Sequence, residues 1–402
     1  MRWLARSPAR AFLVLFLIAF VEGVVLMPFV PRIAIEPQTR WEVKAVAVSL
    51  ATKGTFADPY ALPTGPTAHV PPAFPALLAL LYTGFGLTMT AGYVAWLLQI
   101  AASATMVAML PWLSHRFGTG REAGVVGGLA GALAPRWPYE IENFAAVALG
   151  LLVAGHLTTW HRGGQSSGRA LLAGLAWGAA FHLTPSLLPV LIGCLAFEVW
   201  WLRDRRQWAW AAVTMLGVVL ACLPWGWRNY GTFGEVFFIR SNVGLELRMG
   251  NHTGAAADID LLDVPGNTER HPRTNLAEAR LLQEVGEIEY MRGARREALE
   301  WIGAHPAAFL RLTAQRVFYF WFGAPSLGVL AVASGLLTIL AALGLRRVWP
   351  EIAAPERAAF TVPLLTFPLT YYVVVFMPRY SAPLTGILLV LAGAEIRRWL
   401  RR

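Results

Sequence analysis

The sequence has little charge and almost no lysine. Only 14% of its 402 residues are charged and 56% are hydrophobic, against roughly 25% charged in an ordinary soluble domain. Lys44 and Lys53 are the only lysines. A soluble chain of this length cannot bury so much apolar surface, whereas a bilayer lets apolar side chains face lipid. The sequence therefore predicts an integral membrane protein.

Cysteine is nearly absent as well, and the sequence lacks a dinucleotide-binding motif. Cys194 and Cys222 lie inside apolar runs, where they indicate buried thiols rather than a disulfide framework or a metal site. No Gly-x-Gly-x-x-Gly motif follows a predicted strand, which argues against a Rossmann fold. The net charge of +10 comes from arginines spread between apolar runs, so membrane topology explains it better than a nucleic-acid partner.

Apolar segments of spanning length recur along the chain. They predict an all-α membrane protein of about ten transmembrane helices, built as a single module over residues 1–402. The first run favours a retained helix over a cleaved signal peptide, because it contains Glu22 and lacks a small-x-small cleavage site. The predicted spans are 11–30, 87–113, 122–138, 143–160, 169–184, 186–202, 207–226, 326–345, 358–377 and 381–397.

The connections between these spans predict a topology. With a cytoplasmic N-terminus, nearly every inside connection is short and rich in arginine, as the positive-inside rule requires. The C-terminus is then also cytoplasmic, and two long extracytoplasmic loops remain, at 31–86 and 227–325. Helical patterns predict interfacial helices at 42–52 and 71–85 in the first loop, and at 275–303 and 307–322 in the second.

Polar residues gather in the outside loops rather than within the spans. Glu22 and Glu198 are the main ionisable residues inside predicted spans, whereas channels and pumps usually carry charges there. This distribution favours chemistry at the membrane surface. Glu42 begins a predicted helix just beyond the first span, where it is either a catalytic carboxylate or a charge that complements the helix dipole.

Further candidates lie at the outer ends of other spans. The planar guanidinium of arginine suits phosphate oxygens, although Arg228 could also be an end group that snorkels to the interface. Glu140 and Glu142 could also be ordinary polar residues of the membrane interface. A divalent metal could bind Glu42, Glu140, Glu142 and Asp58, but no spacing selects such a site. The candidates are Glu140 and Glu142 after the third span, Arg228 and Asn229 at the end of the seventh, and Arg379 and Tyr380 in the last outside turn.

Together these features resemble the GT-C superfamily of polytopic glycosyltransferases, whose members include protein O-mannosyltransferases and lipid A aminoarabinose transferases. The first-loop acid is commonly Asp in that superfamily, whereas here it is Glu42, with Glu36 as a weaker alternative. A bacterial subgroup is the most similar. The resemblance rests on the early acid, Gly65-Pro66-Thr67-Ala68-His69…Pro71-Pro72, Phe85-Gly86, Pro224…Trp227-Arg228-Asn229-Tyr230…Phe233-Gly234, Arg240-Ser241-Asn242, Gly250-Asn251 and Arg379-Tyr380…Pro383.

The resemblance implies inverting transfer of a sugar from a polyprenyl-phosphate donor to a periplasmic or lipid acceptor. It implies a multi-pass protein of the bacterial inner membrane, with the sugar lipid and membrane lipids as partners. The implied roles are general base for Glu42, donor-phosphate binding for Arg379, Arg228 and Tyr380, and pocket lining for His69, Glu140, Glu142 and Asn229.

Three other functions stay open at the level of sequence. A lipid-sugar flippase or other transporter would need a polar path across the membrane, which the spans lack. A non-catalytic scaffold of the same shape would not need the loop acids. A glycan polymerase or ligase that takes a lipid pyrophosphate would use the same chemistry, and differs in the number of phosphates on its donor.

Overall fold

The computed structural model describes residues 2–39, 41–134, 141–163, 165–237, 239–258 and 269–400. Across these residues the backbone is helical, and extended pairing is limited to isolated bridges such as Ala57 with Pro66. The α-helices are α1 Arg2–Ala5, α2 Pro8–Leu26, α3 Arg32–Ile35, α4 Glu42–Lys53, α5 Ala73–Phe85, α6 Met89–Ala108, α7 Leu110–Arg116, α8 Arg121–Leu133, α9 Glu142–Arg162, α10 Ser167–Phe181, α11 Leu188–Leu202, α12 Arg206–Phe233, α13 Val243–Gly250, α14 Leu276–Val285, α15 Glu287–Ala304, α16 Pro306–Phe322, α17 Val329–Val348, α18 Ala354–Thr366 and α19 Thr385–Trp399.

Short 3₁₀ segments extend several of these helices. Two of them matter for the site, because they link α18 to α19 and include the last predicted outside turn. The 3₁₀ segments are Met27–Phe29, Pro185–Leu187, Pro325–Leu327, Phe367–Tyr372 and Pro378–Leu384.

Six helical segments of the described chain are long and apolar enough to cross a membrane, which makes this a multi-pass membrane protein. Each of the ten predicted spans overlaps a helix, although the end of the span 122–138 lies outside the described residues. The helices at the four remaining spans, α8, α10, α18 and α19, have only 13 to 15 residues, below the roughly 20 that a full span needs. The count of ten spans therefore stays a prediction. The six segments are Pro8–Phe29, Met89–Arg116, Glu142–Arg162, Pro185–Leu202, Arg206–Phe233 and Val329–Val348.

Glycines bring the shorter helices close to their neighbours. A Cβ atom on Gly127 of α8 would lie 2.2 Å from the carbonyl oxygen of Leu389 in α19, and one on Gly174 of α10 would lie 2.0 Å from that of Thr214 in α12. Small residues at such crossings let helix backbones approach closely inside a membrane. The short helices α8, α10 and α19 are therefore tightly packed parts of the bundle.

The two long predicted loops contain ordered helices. In the first, α4 spans Glu42–Lys53, and the Gly54 that follows has a φ of 69°, which closes the helix in the left-handed conformation. In the second, the helix predicted over 275–303 is instead two helices, α14 and α15, because Gly286 between them has a φ of 81°. Of these helices, α4 contributes residues to the cavity described next.

Candidate functional site

Both long loops and the last predicted outside turn contribute to one cavity of about 500 Å³. The start of α4 and the segment around His69 come from the first loop, and the segments around Arg240 and His271 come from the second. Its lining is mixed: apolar side chains such as Val243 and Val374 form much of the wall. Pockets of this size with a few converging polar groups are typical of small-molecule sites.

Glu42 presents an ionised carboxylate to this cavity. It is the first residue of α4, and its Oε1 atom lies 3.4 Å from Nε of Arg273 and 3.6 Å from Nε2 of His271. Burial alone would raise the pKa of Glu42, but the charge of Arg273 and the two neighbouring histidines lower it to about 2. The side chain is therefore a carboxylate at any physiological pH.

His69 and His271 stand next to Glu42 as neutral imidazoles. Burial lowers the pKa of His69 to about 3 and that of His271 to about 4. One ligand atom from each of Glu42, His69 and His271 lies within 4.8 Å of the others. The buried Nδ1 atom of His69 has no hydrogen-bond partner among the described residues. Neutral imidazoles and a carboxylate are the donors that zinc, manganese and similar divalent cations accept, so these three residues fit such an ion.

The carboxylates considered as metal ligands from the sequence do not join Glu42 in this group. Asp58 is paired with Lys53 at 2.8 Å, accepts a hydrogen bond from the Gly65 amide and does not line the cavity. Glu142 lines the cavity but faces Arg379. Glu140 lies outside the described residues. The acid–histidine group around Glu42 is thus a different set from the all-carboxylate one considered in the sequence.

Arg379 and Tyr380 reach the cavity from the 3₁₀ segment before α19. The Nε atom of Arg379 is 3.5 Å from Oε1 of Glu142. The ring of Tyr380 stacks on that of Tyr371 with centroids 4.3 Å apart. Burial, together with the nearby carboxylate of Glu246, raises the pKa of Tyr380 well above its ordinary value, so its hydroxyl remains a hydrogen-bond donor.

Arg228 and Asn229 do not line the cavity. The guanidinium of Arg228 donates to the carbonyl oxygens of Thr67 at 2.8 Å and Phe56 at 3.0 Å, and the amide of Asn229 donates to the carbonyl of Phe237. Arg228 thus joins the end of α12 to the first loop. This placement does not favour the phosphate-binding role predicted for Arg228 or the pocket-lining role predicted for Asn229.

Arg240 lines the cavity, whereas Arg228, the arginine predicted from the sequence, does not. Its Nε donates to the His69 carbonyl at 2.8 Å, and its Nη2 lies 3.6 Å from Oε1 of Glu246. Burial raises the pKa of Glu246, against the opposing charges of Arg240 and Arg379. Sequence reasoning noted Arg240 only as part of a motif and did not identify Glu246, His271 or Arg273, which no local pattern connects to Glu42.

Glu287 ties the two loops together behind the cavity. It is the first residue of α15, and its carboxylate accepts hydrogen bonds from the Thr67 hydroxyl at 2.5 Å, the Ala68 amide at 2.8 Å and the Ser241 hydroxyl at 2.6 Å. Thr67 in turn accepts a bond from the His69 amide. Burial raises the pKa of Glu287. These bonds fix the backbone on which His69 and Arg240 stand.

Two buried arginines hold the remaining walls. Arg248 of α13 donates to Glu278 and to the Arg270 carbonyl, both at 2.6 Å, next to His271. Arg316 of α16 donates to Gly250 and Asn251, and the amide of Asn251 donates to the Val373 carbonyl at 2.9 Å. The cavity is therefore positioned by charged groups that do not face it.

A solved structure shares this fold. The chain is similar to the archaeal oligosaccharyltransferase AglB from Archaeoglobus fulgidus, solved in complex with an inhibitory peptide and a dolichol-phosphate, with a TM-score of 0.52 and 14% sequence identity over 97% of the chain. The chain spans about half of that protein's length, 50%. At this level of identity the likeness concerns the fold alone. No protein-family model matches the sequence, and no curated protein sequence matches it.

Proposed function

We propose that this protein transfers a sugar from a polyprenyl-phosphate-linked donor to a periplasmic or lipid acceptor at the outer face of a bacterial inner membrane. One observation carries the proposal: the ionised carboxylate of Glu42 and the guanidinium groups of Arg240, Arg273 and Arg379 line a single cavity at one end of a membrane helix bundle. A similar fold in an oligosaccharyltransferase solved with dolichol-phosphate supports it.

The phosphate side of the reaction falls to the arginines. When the bond between C1 of the sugar and the phosphate oxygen breaks, the electron pair leaves with the lipid phosphate. That leaving group needs little protonation, and guanidinium groups stabilise its charge. Arg379 and Arg240 are placed for this task, with the hydroxyl of Tyr380 beside them as a donor. Arg240 takes the role for which the sequence suggested Arg228.

The acceptor side falls to Glu42. An acceptor hydroxyl or amine attacks C1 from the face opposite the phosphate, which inverts the anomeric carbon as in one-step glycosidases. The proton of the acceptor passes to the Glu42 carboxylate. With a pKa of about 2, Glu42 is a weak base, so it takes this proton late, after bonding to C1 has made the acceptor proton acidic. Before that point its contribution is to orient the acceptor.

A divalent cation fits the same corner. Glu42, His69 and His271 are the residues that would hold it, and when bound it would supply positive charge within the cavity. The neutral state of both histidines leaves their ring nitrogens available as ligands.

The direct test is a transfer assay with the protein in membranes and a panel of polyprenyl-phosphate sugars. We expect Glu42→Gln and Arg379→Ala each to lose at least about 100-fold in transfer rate, the scale of removing one electrostatic stabiliser. Arg292→Ala is the matched control, because Arg292 pairs with Glu289 and Glu235 away from the cavity. Full activity in both cavity variants would refute the proposal, and flux of lipid-linked sugar across vesicles without any transfer would support a flippase instead.

The acceptor and sugar can be approached in cells. The lipid-linked and surface glycans of a deletion strain are compared with those of its parent by mass spectrometry. A polyprenyl-phosphate sugar that accumulates while one surface glycan loses a residue would identify both substrates. Unchanged glycans in the deletion strain would argue for a non-catalytic protein of the same fold.

A further inference from the structure

Within the described part of the chain, every arginine that lines the cavity faces a carboxylate that also lines it. The three pairs have similar geometry, with nitrogen–oxygen distances between 3.4 and 3.6 Å. They come from different parts of the chain, so the pairing is a property of the folded cavity. The pairs are Arg273 with Glu42 at 3.4 Å, Arg379 with Glu142 at 3.5 Å and Arg240 with Glu246 at 3.6 Å.

This pairing leaves the described lining without net formal charge when all six groups are ionised and both histidines are neutral. The phosphodiester of a polyprenyl-phosphate sugar carries one negative charge, and the corresponding diphosphate carries two. In a cavity partly shielded from water, each uncompensated charge is costly. A neutral lining therefore tolerates the first donor better than the second.

Glu246 is the carboxylate best placed to make this distinction. Its charge acts on both Arg240 and Arg379, the two arginines proposed to hold the donor phosphate. It also accepts a hydrogen bond from the Asn242 amide at 2.7 Å. Its helix, α13, is fixed against α15, since a Cβ atom on Gly244 would lie 1.9 Å from the Met291 carbonyl. This close packing holds the backbone of Glu246 near the arginines.

We propose that Glu246 is a specificity-determining residue that restricts the cavity to donors with a single phosphate. Its carboxylate offsets about one of the two positive charges that Arg240 and Arg379 present, and Glu142 offsets the other. A phosphodiester then adds one uncompensated negative charge to this site, whereas a diphosphate adds two, the second of them next to Glu246. The inference rests on the proposed function, because it assumes that these arginines bind the donor phosphate.

The experiment measures binding of two probes that differ by one phosphate. The phosphodiesters methyl geranylgeranyl phosphate and methyl geranylgeranyl diphosphate, with one and two negative charges, are titrated calorimetrically into the chelator-treated, purified protein in detergent. We expect the wild-type protein to bind the monophosphate at least about tenfold more tightly, a difference of about 1.4 kcal/mol. We expect Glu246→Gln to remove most of this preference by tightening diphosphate binding. Glu289→Gln is the control, since Glu289 is exposed and pairs with Arg292 away from the cavity.

The outcomes separate this inference from the function on which it rests. Binding of neither probe to the wild-type protein would count against the proposed function itself. Equal binding of both probes, or a preference for the diphosphate, would overturn the specificity inference and leave the function standing. A monophosphate preference that survives in Glu246→Gln would show that another group sets it. The wild-type comparison stands even where the variant fails to fold.

Discussion

The Nε2 atom of His271 lies 3.6 Å from a carboxylate oxygen of Glu42, although the two residues belong to different predicted loops. With His69 they form a compact group of one carboxylate and two imidazoles. All three side chains are in the protonation state that a metal requires, because Glu42 is ionised and both histidines are neutral. This relationship leads to the first prediction.

The chain is expected to bind one zinc or manganese ion. His271→Ala and His69→Ala should each lower the affinity for the ion by at least about 100-fold. Loss of a residue that only supports a metal ligand already lowers metal affinity by about 10–100-fold. Isothermal titration calorimetry on chelator-treated protein measures the effect. His161→Ala is the control, since His161 pairs with Glu356 away from the cavity. Equal affinity in all four proteins would rule out this site.

Substitution of Arg228 should lower stability, whereas substitution of Arg379 should lower lipid phosphate binding. Arg228→Gln removes hydrogen bonds to two backbone carbonyls and should lower the free energy of unfolding by about 2 kcal/mol with little change in lipid phosphate binding. Arg379→Gln should abolish that binding and cost less than about 1 kcal/mol in stability, because its ion pair is partly exposed. Thermal unfolding and lipid titration of both variants check this, and the reverse pattern would restore the role that the sequence suggested for Arg228.

Glu287 should behave as a structural residue with a functional consequence. Glu287→Ala leaves the Thr67 and Ser241 hydroxyls and the Ala68 amide without their acceptor, so we expect a loss of about 3 kcal/mol in stability. Metal affinity should fall as well, because the backbone of His69 loses its support. Glu289→Ala, two residues along the same helix and exposed, should change neither. A stable Glu287→Ala protein with normal metal affinity would contradict this account.

The close helix crossings make a prediction about stability alone. Gly127→Ala should destabilise the protein by about 1–3 kcal/mol, the usual cost of overpacking, since the new methyl would meet the Leu389 carbonyl at 2.2 Å. Gly155→Ala in α9 is the matched control, because a Cβ added there would meet no atom within 4 Å, and alanine should be neutral or favourable at such a helical position. Unfolding in a denaturant series compares the two.

Part of this molecule could be predicted from its sequence. The apolar runs predicted a helix at each of the ten places, and the N-terminal position of Glu42 on α4 follows from the local pattern. Arg379, Tyr380, His69 and Glu142 were selected as candidates and do line the cavity. These residues could be found because each sits at the end of an apolar run, where a membrane protein places its surface chemistry.

The remainder could not be predicted, for physical reasons. His271 and Arg273 lie in a polar stretch without periodicity, and only tertiary packing brings them to Glu42. The sequence around Arg228 is that expected of a phosphate-binding arginine. Its guanidinium nevertheless donates hydrogen bonds to two backbone carbonyls of a segment distant in sequence. The break at Gly286 depends on a left-handed φ that glycine permits but does not require.

The Glu287 hydrogen bonds have a consequence for how this protein acquires activity. The carboxylate joins residues of the first loop to a residue of the second, so neither loop can adopt its working shape before the other has been translocated and the intervening helices have inserted. Competence should therefore appear late in biogenesis, after synthesis has passed both Glu287 and Arg379. Ribosome-stalled chains released before that point would be inserted and helical, but inert.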